Sequence, residues 1–368
     1  MNQNNSKILI AFTGGGTGGH IYPGISIITE LQKQISCRII WIGSKKGVDK
    51  NIVEKAGIEF FGISTGKLRR YFSFENFIDI FKFFFGIIKA RKILKKQSPV
   101  LLFSKGGFVS VPSVIAAKSL KIPVWTHESD FTPGLATKIN SYFANKICVS
   151  YENTYKFFGY NKKGNIIYTG NPIRSGFYSA DAEKGLEFLG VSKEDKILLI
   201  LGGSQGAKEI NELIVDCIDE LTKHFFVVHQ TGEQTGTTAS SRRYKRITYI
   251  GDEMPDVLAA ASLVIGRSGA GTIWECAASA CPMILIPLCG SGTRGDQVEN
   301  AHFFEEKGAA ITLIHPDKNI LLQTVFMLTQ DEKKLQNMAN TAKMIGAVRG
   351  ADIVIKNMIL YLKDNNLI

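Results

Sequence analysis

The sequence has no stretch of ~20 unbroken apolar residues, the length a helix needs to cross a bilayer, so its most apolar segment can lie on a membrane but not span one. Its start, Met1-Asn2-Gln3-Asn4-Asn5-Ser6-Lys7, is polar and lacks an apolar core followed by a cleavage pattern, which argues against a secretory leader and predicts a cytoplasmic protein. The six cysteines, Cys37, Cys148, Cys217, Cys276, Cys281 and Cys289, include no Cys-x-x-Cys pair, and most lie in apolar surroundings. Neither a disulfide framework nor a zinc site is expected from them. No G-x-x-x-x-G-K-[ST] loop occurs, which excludes a P-loop ATPase. Acids are in deficit: 33 Asp and Glu face 44 Lys and Arg, a formal net charge of +11. That surplus calls for a polyanionic partner, which nucleic acid, an anionic membrane or a phosphorylated substrate would satisfy.

What the sequence does contain is glycine loops set directly behind apolar strands. Its 368 residues, 45% of them apolar, exceed what one hydrophobic core usually serves and predict two domains. The run Ile8-Leu9-Ile10-Ala11-Phe12 leads into Thr13-Gly14-Gly15-Gly16-Thr17-Gly18-Gly19-His20, and a helix is expected over 22–34 with Pro23 in its first turn. A strand, a glycine loop and a helix start bring bare backbone N–H groups and the positive end of a helix against a phosphate. The plan returns at 196–201 followed by Gly202-Gly203-Ser204-Gln205-Gly206-Ala207. A third glycine turn, Ser104-Lys105-Gly106-Gly107, separates a strand over 99–103 from a helical stretch over 112–120. Further strands are expected at 38–43, 122–125, 147–149, 166–168, 226–228, 247–250, 263–265 and 283–286, and a last helix at about 345–362. Strands alternating with helix-length segments predict an α/β fold of doubly wound parallel sheets.

Gly14, Gly16 and Gly19 satisfy the G-x-G-x-x-G pattern of dinucleotide sites, but that reading wants an acid at the end of the second strand to hold the ribose. Here Gly43-Ser44-Lys45-Lys46 follows, and Asp49 is the first acid, so a dehydrogenase is disfavoured. Between 71 and 96 the character changes: Phe72, Phe74, Phe77, Phe81, Phe83, Phe84 and Phe85 mix with Lys82, Lys89, Arg91, Lys92, Lys95 and Lys96, just after Lys67, Arg69 and Arg70. Phenylalanines beside lysines suit a bilayer surface; the alternative is an ordinary helix with its phenylalanines in the core and its lysines in water.

In the second half, Arg267-Ser268-Gly269-Ala270-Gly271-Thr272-Ile273-Trp274-Glu275 reads as a helix start capped by Ser268 or Gly269, with Glu275 in reach of a sugar diol. Asp296 and Gln297, at the start of a later helix, offer acceptors for sugar hydroxyls.

These motifs, together with Pro23-Gly24, Gly106-Gly107-Phe108-Val109-Ser110, His127-Glu128, Gly170-Asn171-Pro172-Ile173-Arg174 and Gln297 with Asn300-Ala301, resemble the MurG family in order and spacing over nearly the whole chain. The family belongs to the family 28 glycosyltransferases and converts lipid I to lipid II in peptidoglycan synthesis. The resemblance implies a GT-B fold, two Rossmann-like domains facing across a cleft: 1–170 for acceptor and membrane, 171–344 for UDP-GlcNAc, and 345–368 a helix packing back on the first domain. It implies donor contacts from Thr17, Gly18, Gly19, Arg174, Ser204, Gly251, Ala270, Gly271, Thr272, Glu275 and Gln297, with Glu275 at the uridine ribose. Acceptor contacts fall to Thr17, Gly18, Gly19, His20, Gly106, Gly107 and Asp130, the last standing where the family carries asparagine in a Glu-Gln-Asn run.

By the same resemblance the reaction inverts the anomeric carbon, and His20 is the candidate base, a diphosphate-binding role being the alternative. The implied partners are UDP-GlcNAc, an undecaprenyl-diphosphate-linked muramyl peptide and, through 71–96, an anionic membrane at the cytoplasmic face, with no nucleic acid. No cofactor or metal ligand set is called for, and room is left for a divalent cation. His127, His224, His229 and His302 read as structural. Another GT-B enzyme, a glycolipid glycosyltransferase or a UDP-GlcNAc 2-epimerase, stays open as an alternative, as does a basic nucleotide- or lipid-binding protein without catalysis.

Overall fold

The opening apolar run forms β1 (Ile8–Thr13), an interior strand of a seven-stranded parallel sheet with β2 (Cys37–Ser44), β3 (Glu59–Ile63), β4 (Leu101–Ser104), β5 (Val124–Glu128), β6 (Lys146–Val149) and β7 (Ile166–Tyr168). The computed structural model describes residues 8–66, 74–202, 207–233, 241–290 and 293–368. Strand order is β3-β2-β1-β4-β5-β6-β7, so the sheet reverses direction of growth between β1 and β4. Successive side chains of a strand face opposite ways. Ile10 and Phe12 therefore enter one core with Ile21, Leu31 and Trp41, while Leu9 and Ala11 enter another with Ala90, Leu94 and Val114. Helices cover both faces: α1 (Gly18–Gln34), α2 (Asp49–Lys55), α3 (Phe74–Gln97), α4 (Ser110–Ser119) and α5 (Leu135–Phe143). Burial on both faces is why these strands read as continuous apolar runs.

The second unit repeats the plan with β8 (Ile197–Leu201), β9 (Phe226–Gln230), β10 (Tyr244–Ile247), β11 (Leu263–Gly266), β12 (Met283–Leu285) and β13 (Ala310–Thr312), ordered β10-β9-β8-β11-β12-β13 and all parallel. Its helices are α6 (Ala182–Leu189), α7 (Lys208–Leu221), α8 (Met254–Ala260), α9 (Ala270–Ala278), α10 (Asp296–Glu306), α11 (Lys318–Gln330) and α12 (Glu332–Gly346). A final helix, α13 (Gly350–Asp364), belongs to the first unit. Its Ala351, Val354, Met358 and Leu362 join the Ile10 and Phe12 core, and Tyr361 meets Trp125 edge-on with ring centroids 5.5 Å apart. The first unit thus comprises Met1–Arg174 with Arg349–Ile368, and the second Ser175–Val348.

Several expected elements shift. The first helix starts at Gly18, which puts Pro23 inside it, and the missing proline N–H leaves the Gly19 carbonyl without its intrahelical donor. The last helix, expected at about 345–362, starts later, at Gly350, because α12 runs on to Gly346, where a Cβ would lie 2.3 Å from the Ala277 backbone. The strand expected at 247–250 runs instead from Tyr244 to Ile247. The edge strands β3 and β13 have no counterpart among the expected elements, because Glu59-Phe60-Phe61-Gly62-Ile63 and Ala310-Ile311-Thr312 are short and weakly patterned.

Candidate active site

Ligands of open α/β sheets bind beyond the carboxyl ends of the strands, at the point where strand order reverses. In the first sheet that point lies between β1 and β4, and the two loops leaving those strands carry Gly14–Thr17 and Gly106–Gly107. They meet. A Cβ on Gly107 would lie 2.5 Å from the Gly15 carbonyl oxygen and 3.0 Å from His20 Cδ2, and Gly107 itself has φ 76°. Only glycine permits both the conformation and the approach.

The first loop is held from two sides. Trp41, fully buried, donates its indole N–H to the Gly14 carbonyl over 3.1 Å. The buried Asp49 carboxylate accepts from Gly16 N at 2.9 Å and from Ser44 N at 3.0 Å, tying the loop to the end of β2. Asp49, the first acid after the second strand, is therefore a loop anchor and not a ribose ligand. The loop ends at Thr17, the N-cap of α1, whose side chain makes no capping bond, and Gly18 and Gly19 follow as the helix's first residues. Their N–H groups have no intrahelical acceptor, which suits them to an anion.

His20 sits in that first turn, half-buried. Its Nδ1 lies 3.2 Å from the carbonyl oxygen of Lys105. A carbonyl can only accept, so Nδ1 carries the hydrogen, and Nε2 is the basic nitrogen of the ring in its neutral form. Sequence reasoning passed over the lysine behind this contact. Lys105 is 2% exposed, and its Nζ reaches His127 Nδ1 at 2.7 Å and donates to Ser129 Oγ at 2.8 Å. His127 Nε2 in turn lies 3.2 Å from the Gly170 carbonyl, so its proton is on Nε2 and its Nδ1 accepts from the lysine. Burial pushes the Lys105 ammonium down to about 7, against the opposing pull of Glu128, and holds His127 well below its ordinary value, neutral. Burial and the neighbouring Asp130 push the Glu128 carboxyl up. Glu128 accepts from Asp130 N and Gly134 N, both at 3.0 Å, which fixes the turn that carries the half-buried Asp130. Nothing local in the sequence marks Lys105 as buried; only the packing of β4 between β1 and β5 does so.

The second sheet reverses between β8 and β11. Ser204, with Gly203, Gln205 and Gly206, lies outside the described residues, and α7 follows with Ala207 as its N-cap. After β11, Arg267 donates to the carbonyls of Ile286 at 3.1 Å and Pro287 at 3.2 Å and pairs with Glu209 at 2.6 Å. Ser268 does not cap α9: its hydroxyl donates to the Gln297 carbonyl at 2.7 Å, and Gly269 occupies the N-cap without a side-chain bond. Of the residues that follow, Ala270 is buried at the helix start, and Ile273 and Trp274 enter the core. Gly271, Thr272 and Glu275 are half-buried on α9, Glu275 following Gly271 by four residues and Thr272 by three, the spacings that make helix neighbours.

The two expected sugar acceptors are partly spent. Asp296 pairs with Arg294 at 2.8 Å, and Gln297 Oε1 accepts from Leu288 N at 2.9 Å, which leaves Gln297 its amide nitrogen as a donor. Gly251 lies in the turn before α8, and its carbonyl accepts from Met254 N at 3.3 Å. Arg174, half-buried, ends the first of the two segments that make up the first unit. His229 is buried between Asn211 Oδ1 and the Tyr244 hydroxyl, 3.0 Å from each, and burial lowers it to about 4, so it is structural.

Two parallel-sheet α/β units, each with helices starting at its reversal point, place the chain in the GT-B class of glycosyltransferase folds. Residues 10–149 match the glycosyltransferase family 28 N-terminal domain and residues 197–353 its C-terminal domain. The chain is 48% identical, over 97% of its length and 98% of the relative's, to the UDP-N-acetylglucosamine--N-acetylmuramyl-(pentapeptide) pyrophosphoryl-undecaprenol N-acetylglucosamine transferase of Treponema denticola. It is 42% identical, over 95% of its length and 98% of the relative's, to the protein of the same description from Clostridium tetani. Among solved structures it resembles MurG of Acinetobacter baumannii, with a TM-score of 0.75 at 22% identity over 95% of this chain and 98% of that one. The chain belongs to glycosyltransferase family 28, in its MurG branch.

Proposed function

We propose that the protein transfers GlcNAc from UDP-GlcNAc to the C4 hydroxyl of an undecaprenyl-diphosphate-linked MurNAc-peptide, converting lipid I to lipid II. The observation that carries the chemistry is the His20–Lys105 contact, which leaves a basic Nε2 on a ring set in the first turn of α1 beside the paired glycine loops. The acceptor oxygen bonds to the GlcNAc anomeric carbon as the bond from that carbon to UDP breaks, with inversion. The hydroxyl proton passes to His20 Nε2 and the electron pair to the departing diphosphate. The N–H groups of Gly18 and Gly19 and the Gly106–Gly107 turn bind the acceptor diphosphate. In the second unit, Gly271 and Thr272 at the start of α9 take the donor diphosphate, Glu275 accepts from the ribose, and Gln297 gives its amide hydrogens to the sugar; Ser204, Gly251 and Arg174 complete the donor contacts. Labelled UDP-GlcNAc incubated with a lipid I analogue tests the reading: labelled lipid is expected, and none under conditions where a known transferase works would overturn it.

The acceptor's lipid tail requires the enzyme at a membrane surface, and we assign that role to α3 at the cytoplasmic face. No helix among the described residues is long and apolar enough to cross a membrane. Yet Phe81, Phe84 and Phe85 are 62%, 59% and 64% exposed on one side of α3, with Ile80 and Ile88 beside them, while Ala90 and Leu94 pack inward. Lys92 and Lys95 are exposed farther along the helix. Lys89 lies against Lys45, and partial burial and that like charge hold it below its ordinary value. Lys67, Arg69, Arg70 and Phe72 lie outside the described residues, as do the side chains of Phe74 and Phe77. Each basic group near an anionic surface contributes about 1 kcal/mol, so the stripe and its lysines suffice for reversible docking. Reversing Lys89, Arg91 and Lys92 to Glu should weaken binding to anionic vesicles at low salt, and unchanged binding would return the helix to an ordinary solvated face.

A further inference from the structure

The buried lysine behind the glycine loops is not accounted for by the reaction as written. Lys105 stands at the crossing of the elements that build the acceptor side. Its N–H donates to the Thr13 carbonyl at 2.8 Å, joining β4 to the end of β1. Its stem packs beneath the first loop and α1: a Cβ on Gly14 would lie 3.1 Å from Lys105 Cβ, and one on Gly24 would lie 3.3 Å from Lys105 Cγ. Its carbonyl receives His20 Nδ1. Its Nζ bonds His127 and Ser129 at the end of β5, and Ser129 Oγ passes the chain on to Asn171 Oδ1 at 3.0 Å.

A methionine or leucine would fill this space without the cost of burying an amine. The lysine must therefore do something a hydrophobe cannot, and two features say what. Its side-chain bonds and its carbonyl bond bring Ser129, Asn171 and His20 under the control of one residue. And an ammonium inside the fold beneath two anion-binding loops is shielded from water, so it acts on a bound diphosphate far more strongly than a surface lysine would.

We propose that Lys105 is a positioning residue of the acceptor site: it holds His20 and the Ser129–Asn171 pair in register beneath the glycine loops and supplies the buried positive charge that offsets the acceptor diphosphate. This rests on the acceptor reading given above. The amine serves in two states. Neutral, it still has two hydrogens for His127 and Ser129, so the loops keep their shape in the empty enzyme. When the diphosphate arrives, its negative charge favours the ammonium, and the amine takes up a proton. The ionisable groups around it are His127 and Glu128 on β5, Asp130 beyond it and Cys148 on β6, with His20 on α1 at its carbonyl. His127 is held neutral, and the burial that lowers Lys105 to about 7 also raises the Glu128 and Cys148 groups.

The test is the pH dependence of transfer by the full-length enzyme, with a short-prenyl muramyl-pentapeptide diphosphate as acceptor. Wild type that transfers no GlcNAc at any pH would refute the parent reading and not reach this one. For active wild type, kcat/KM for the acceptor is expected to fall on the alkaline side with an apparent pKa near that of Lys105. Lys105→Met is expected to lose that limb, to raise the acceptor KM about tenfold and to leave the donor KM within about twofold, the tenfold change being about 1.4 kcal/mol. An unchanged alkaline limb in Lys105→Met, or equal losses for donor and acceptor, would overturn the proposal. Should Lys105→Met not fold, calorimetry of wild type in buffers of different ionisation enthalpy decides. Net proton uptake on binding the acceptor analogue at pH 7.5 to 8 supports the role, and binding without uptake refutes it.

Discussion

The two reversal points of the molecule share a topology and differ in chemistry. At β1 and β4 the loops rest on ionisable groups: Asp49 under the first glycine loop, and Lys105 with His127 and Glu128 behind the second. At β8 and β11 the supports are mostly backbone carbonyls and neutral side chains. Arg267 binds two carbonyls and Glu209, Ser268 binds the Gln297 carbonyl, and Asn300 donates to the Ser268 carbonyl at 3.2 Å. The difference fits the division of labour proposed above. A site that must move a proton and receive a diphosphate has titratable groups arranged around it, whereas one that recognises a nucleotide sugar needs rigid donors and a single carboxylate. The strand order decides where a ligand can bind, and the side chains packed behind the loops decide what happens there.

Substitutions on the two sides should separate along that line. The largest effect is expected from His20→Ala, which should lower kcat by ~10²–10⁴, the usual contribution of a general base, while UDP-GlcNAc binding measured by calorimetry stays as in wild type. Turnover that survives would leave His20 as a diphosphate ligand only. Glu275→Ala should act on the other side: hydrogen bonds to a charged group are worth about 1.5–3 kcal/mol, so donor affinity should drop by roughly ten- to hundredfold with the acceptor KM unchanged. A rise in the acceptor KM instead would blur the comparison.

Asp49→Asn comes next. An amide offers one accepting oxygen where the carboxylate offers two, so either Gly16 N or Ser44 N loses its partner at about 1–3 kcal/mol. The urea midpoint should fall and the acceptor KM rise, and a change in donor KM alone would show that the loop serves the other ligand.

The smallest effect is thermodynamic. Lys105 has its folded pKa at about 7, below the ordinary 10.5, so between those values the unfolded chain binds more protons and this residue's contribution to stability improves as pH rises. Lys105→Met, which has no such group, should therefore melt above wild type at pH 7, by a margin that narrows toward pH 10. A margin independent of pH would mean that the lysine is not buried in solution.

Much of the fold was legible along the chain. Parallel strands covered on both faces must be apolar throughout, so β1, β4, β8 and β11 announce themselves, and glycine loops behind them mark the reversal points. The edge strands β3 and β13 are short and weakly patterned and went unseen for that reason, whereas the apolar edge strand β7 was legible. Helix ends were misplaced where a proline or a tight approach mattered: Pro23 lies deeper in α1 than its usual place, and Gly346 ends α12 because it is pressed on α9.

By itself, then, the sequence determined the class of fold, the glycine loops at the strand ends and the helix that mixes phenylalanine with lysine, since each depends on residues close together in the chain. The tertiary structure alone decided that Asp49 anchors a loop, that Ser268 does not cap its helix, that Gln297 is a donor, and that Lys105 is buried against His127 and Ser129 while its carbonyl sets the tautomer of His20. Each of these depends on a partner from another strand or loop. A hydrogen bond or a desolvated charge is a property of what surrounds a side chain, and that is settled only when separate stretches of chain pack together.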